Sequence, residues 1–108
     1  MTKRMPTLFI PHGGGPCFFM DWNPADAWDR MRAWLESIPG SLPEKPKAIL
    51  VISGHWETKI PTLLTSPKPS LYFDYYGFPP HTYELTWPAP GDPKLADRVR
   101  ELLHEANI

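Results

Sequence analysis

The sequence predicts an α/β fold with a mainly parallel central sheet flanked by helices. Three observations carry that prediction. Two short apolar runs, residues 7–10 and 48–52, are separated by one amphipathic stretch, and a second amphipathic stretch follows later. Each run leads straight into a histidine-bearing loop, Pro11-His12 after the first and Ser53-Gly54-His55 after the second. Composition agrees: fifteen prolines and seven glycines in 108 residues are too much punctuation for a helical bundle. A content of 42% hydrophobic and 21% charged residues is equally unlike a long disordered chain.

Taken in order, residues 7–10 (Thr-Leu-Phe-Ile) read as a short buried strand stopped by Pro11. A helix is predicted to open at Asn23 as N-cap, with Pro24 at its first position and Asp26 in its first turn. Its apolar face is Ala27, Met31, Trp34, Leu35 and Ile38, and Pro39-Gly40 ends it. Residues 48–52 (Ala-Ile-Leu-Val-Ile) form a continuous β-prone run that suits a strand covered on both faces. Residues 61–65 read as a further strand. From 66 to 91 no regular period survives, although the stretch holds seven of the fourteen aromatic residues and six of the prolines. A loop of that length in a compact domain is usually a lid, a binding surface or a linker. The last helix is capped by Asp92, starts at Pro93 and carries Leu95, Val99, Leu102, Leu103 and Ala106 on one face. No repeat and no linker divides the chain, so residues 1–108 read as one unit without an internal boundary.

Eleven basic and twelve acidic side chains leave a net charge of −1, and the only basic cluster is Lys3-Arg4. No basic stripe for nucleic acid and no polybasic membrane patch is present. The longest apolar runs fall far short of a membrane span, and no secretory signal is visible. A single cysteine, Cys17, cannot form an internal disulfide, which makes a reducing cytoplasm the expected compartment.

In an open parallel sheet, ligands bind beyond the carboxyl ends of the strands. A right-handed crossover would bring His12 and His55 out at one such edge. Two imidazoles there are half of a zinc or non-heme iron site, with Gly13, Gly14 and Gly15 leaving room for close approach. Each histidine could instead satisfy only a local backbone group. His12-Gly13-Gly14-Gly15 also matches the oxyanion segment of some esterases, but no Gly-x-Ser-x-Gly elbow accompanies it. A Walker-type phosphate loop is weaker still, because no Gly-Lys-Ser/Thr follows the glycines. Glu57 could orient a neighbouring imidazole or simply face solvent; Cys17 reads as a small core residue and His104 as a surface one. His81 and the aromatic residues Tyr72, Phe73, Tyr75, Tyr76 and Phe78 could meet a planar ligand or pack the loop on the domain.

Three ordered segments together resemble one family. They are residues 8–13 (Leu-Phe-Ile-Pro-His-Gly), residues 48–58 (Ala-Ile-Leu-Val-Ile-Ser-Gly-His-Trp-Glu-Thr), and the middle of the chain. That middle part comprises residues 74–79 (Asp-Tyr-Tyr-Gly-Phe-Pro), 83–85 (Tyr-Glu-Leu) and 87–93 (Trp-Pro-Ala-Pro-Gly-Asp-Pro). The resemblance is to the class III extradiol ring-cleaving dioxygenases of the 4,5-DOPA type. It implies a non-heme metal enzyme that opens a catechol such as DOPA with O₂, using Fe(II), with Zn(II) suited to the same site. A non-catalytic metal-binding protein of the same fold is the alternative. His12 and His55 would be metal ligands, and Tyr76, Phe78 and His81 would lie against the substrate. The family's third ligand and its acid–base histidine lie in a C-terminal half. The resemblance therefore implies that residues 1–108 are the N-terminal part of a larger catalytic domain, completed by a C-terminal portion or by a second chain.

Overall fold

The structure, a computed structural model, describes residues 3–108. These form two α-helices, α1 (Asp29–Ser41) and α2 (Pro93–Glu105), and two 3₁₀ turns, Cys17–Phe19 and Pro80–Tyr83. The helix at the end of the chain follows its sequence signals closely. Asp92 Oδ1 accepts the Leu95 N–H at 3.0 Å, and Pro93 fills the first helical position, where its missing N–H costs nothing. Helix α1 starts later than expected. Residues 24–28 make turns instead, and the helix begins at Asp29, runs through Pro39 and ends at Ser41. Beyond Pro39, Ser41 Oγ donates to the Ile38 carbonyl at 2.7 Å, giving one of the last-turn acceptors a partner.

No strand forms among the described residues, so the expected α/β fold with a parallel sheet is not the fold observed. The reason is physical. A helix closes its hydrogen bonds within its own segment, whereas a strand is held only by N–H···O=C bonds to a neighbouring strand. β-Propensity measures fit to a half-buried pleated surface rather than a backbone preference that acts alone. Residues 7–10, 48–52 and 61–65 run without a ladder, and side chains expected inside face solvent: Phe9 is 96% exposed and Ile52 91%.

The chain divides into two packed units. One comprises Met1–Ile49 and Tyr75–Leu85 and contains α1 and both 3₁₀ turns. Its buried residues are Pro16, Cys17 and Thr82, the last with no exposed surface at all. The Trp22 and Trp28 rings meet edge-on there with centroids 5.4 Å apart, and a cavity of about 70 Å³ lies among Cys17, Trp22, Trp28 and Arg32. On α1 the expected apolar face is only half-buried, through Met31, Leu35 and Ile38. The other unit comprises Leu50–Asp74 and Thr86–Ile108 and contains α2, whose Ala96 is buried. Gly91 donates its N–H to the Pro67 carbonyl at 3.0 Å, and a Cβ at Gly91 would collide with the Ser66 carbonyl. Neither described helix is long and apolar enough to cross a membrane.

Candidate functional site

The loop after residues 7–10 is shaped by glycine and closed by aromatic residues. Gly15 has φ +51°, a left-handed conformation that glycine adopts without steric cost. The Phe78 ring lies so close that a Cβ at Gly15 would sit 2.6 Å from Phe78 Cζ. A Cβ at Gly13 would likewise run into Cys17 Sγ. The glycines thus serve close packing of the loop itself, which the sequence had left open as a way of admitting a ligand.

Across from them, residues 75–83 form a small self-bonded cluster. Pro79 leads into the 3₁₀ turn Pro80–Tyr83, and its carbonyl accepts both the Thr82 N–H at 3.0 Å and the Thr82 hydroxyl at 2.7 Å. The Tyr75 hydroxyl donates to the Thr82 carbonyl. Phe78 meets Tyr75 edge-on with centroids 5.4 Å apart, and the tilted Tyr83 ring lies 5.1 Å from Tyr75. Phe78 is therefore half-buried in packing, while Tyr76 projects outward at 88% exposure. His81 stands on the turn with Nε2 at 2.6 Å from the Phe19 carbonyl. A carbonyl only accepts, so Nε2 carries the proton.

The two histidines expected at one sheet edge follow extended segments instead. His12 belongs to the first unit with Phe78 and His81, and His55 belongs to the second. His12 is exposed and holds Nδ1 at 2.9 Å from the Gly13 carbonyl, so its Nδ1 is the protonated nitrogen. The His55 backbone N–H donates to Ser53 Oγ at 3.1 Å, and His55 Nδ1 lies 3.2 Å from Asp74 Oδ2. That carboxylate is a partner of His55 to which the sequence alone does not point. Nineteen residues separate it from His55, so no local period points to it, whereas Glu57, two residues from His55, is exposed. Among the described residues no three His, Cys, Asp or Glu side chains gather as a metal-binding group. In kind, the donors fit zinc or non-heme iron: two imidazoles with Nδ1 protonated toward an oxygen keep the lone pair on Nε2. Cys17 is buried, and burial raises its thiol pKa, as suits a core residue rather than a nucleophile.

No family model matches the chain, and no solved structure matches it significantly. Curated proteins do. It is 39% identical over 97 residues to the 4,5-DOPA dioxygenase extradiol of Beta vulgaris, covering 90% of this chain and 34% of that protein. It is 35% identical over 102 residues to the protein of the same name from Escherichia coli (strain K12), covering 94% of this chain and 35% of the other. A protein named Dioxygenase tasH from Hapsidospora irregularis is 37% identical over 100 residues, covering 84% of this chain and 29% of its own length. The chain thus spans about a third of the length of the curated relatives it matches. Its sequence belongs to the 4,5-DOPA dioxygenase extradiol family.

Proposed function

We propose that the chain is part of a non-heme metal-dependent extradiol dioxygenase that opens a catechol ring with O₂, DOPA being the first substrate to test. The observation that carries this reading is the match to relatives named 4,5-DOPA dioxygenase extradiol along most of the chain. His12 and His55 would hold the metal through Nε2, Fe(II) for activity with Zn(II) as an alternative occupant, since imidazole suits both. When bound, the metal would supply Lewis acidity toward the catechol and the redox chemistry that O₂ activation needs. The chain's own residues contribute orientation. The Gly13 carbonyl and the Asp74 carboxylate each accept from the Nδ1–H of a histidine that would be a ligand.

Tyr76 offers an exposed ring and phenol to a planar substrate, and Phe78 holds the loop that presents it. His81, with its proton on Nε2 toward Phe19, keeps a lone pair on Nδ1 that can accept a hydrogen bond from a substrate hydroxyl. The remaining ligand and the acid–base group would come from sequence outside the matched third, whether a further portion of the same protein or a second chain. The cytoplasm is the compartment we assign to it.

The test is an aerobic assay of the protein carrying this chain, loaded with Fe(II) and offered DOPA and other catechols. A yellow ring-opened product is expected. His12→Ala and His55→Ala should each lower metal content and abolish turnover. Metal uptake without product from any catechol would favour the non-catalytic metal-binding alternative. Unchanged metal content in both variants would remove both readings.

A further inference from the structure

We infer that Asp74 is a positioning residue for His55, holding its imidazole in the Nδ1–H form so that Nε2 is the nitrogen presented to metal. This rests on the reading of His55 as a ligand. A neutral imidazole carries one proton, and whichever nitrogen donates leaves the lone pair on the other. An ionised carboxylate only accepts, so the 3.2 Å approach of His55 Nδ1 to Asp74 Oδ2 puts the proton on Nδ1.

The other histidines give the contrast. His12 is held the same way by the Gly13 carbonyl, at 2.9 Å from Nδ1. His81 is held the opposite way, through Nε2 on the Phe19 carbonyl at 2.6 Å. The two candidate ligands thus share one tautomer, and the third histidine of this set has the other. Asp74 differs from a backbone carbonyl in carrying charge. Its side chain is 32% exposed, less than the 59% of His55, so water screens it only in part. A carboxylate behind a ligand histidine also raises the basicity of the metal-facing nitrogen.

The experiment reads the tautomer without metal and the affinity with it. In the ¹⁵N-histidine-labelled full chain, metal-free and at about pH 8, where an ordinary imidazole is neutral, His55 should show a protonated Nδ1 and an unprotonated Nε2. Asp74→Ala should move His55 toward the Nε2–H form. It should also weaken Zn(II) binding, measured calorimetrically, by about 10–100-fold. Asp74→Glu should restore the tautomer and most of the affinity. A wild-type His55 protonated on Nε2, or ring-nitrogen shifts unchanged in Asp74→Ala, would overturn the inference. A His55→Ala variant that binds Zn(II) as tightly as wild type overturns the ligand reading instead. The two failures are distinguishable because the tautomer is measured with no metal present.

Discussion

Residues 75–83 and residues 48–52 are both rich in apolar side chains, and they end in opposite environments. In 75–83 the Thr82 hydroxyl and N–H converge on the Pro79 carbonyl, Tyr75 closes onto Thr82, and three aromatic rings pack around the turn. In 48–52 the aliphatic side chains face solvent, with Val51 73% exposed. The difference lies in where each segment's hydrogen-bond partners come from. The turn of the first is closed by residues within seven positions, so closing it costs little loop entropy, and His81 adds one distant bond to the Phe19 carbonyl. The second can be satisfied only by another strand, and the described residues bring none beside it. Apolar composition alone therefore does not say which stretch will be packed.

Substitutions can break that contrast, and the largest effect should come at the point where the loops meet. Gly15→Val combines a left-handed backbone with a side chain driven into Phe78, and should destabilise the first unit by about 3 kcal/mol. Urea unfolding measures it, and a loss below about 1 kcal/mol would mean that the Gly15–Phe78 contact is not tight in solution.

Next comes Thr82→Val, which keeps the shape and removes the hydroxyl bonded to Pro79; about 1 kcal/mol should be lost.

Cys17 gives a pH-dependent reading of the same packing. Burial raises its pKa above the unfolded value of about 8.5, so the folded state holds the proton longer. Its contribution is fully present below the unfolded pKa and is lost as pH rises through the folded one. Stability should therefore decline slightly above about pH 8.5, and Cys17→Ala should remove that decline. Alkylation of Cys17 should be slower in the folded chain than in urea at the same pH.

The smallest effect should come from the exposed run. Ile52→Thr should change stability by less than about 0.5 kcal/mol. A loss of about 2 kcal/mol or more would show that this segment is buried in solution and would erase the contrast.

The same division explains what was legible in the residues. The α2 start at Asp92-Pro93 could be read directly, because an N-cap and the N–H that donates to it lie three positions apart. The core place of Cys17 was also legible, from the lack of a basic neighbour that would make it a thiolate. The α1 start lies five residues beyond the expected one, since Asn23-Pro24 carries the signals of a helix entry but the chain turns through 24–28 first. The sheet was misread altogether, because ladder partners are not encoded in the segment that needs them. His12 and His55 were identified as candidates by residue type and motif. The partner of His55, nineteen positions away, was not.

Sequence by itself determined the family, the candidate ligands and the one helix whose cap is local, since each depends on residue identity at short range. Only the tertiary structure decided that residues 48–52 lie exposed and that Asp74 stands behind His55. Those outcomes depend on which groups meet across many residues, and a hydrogen bond or a buried surface exists only once its distant partner has arrived.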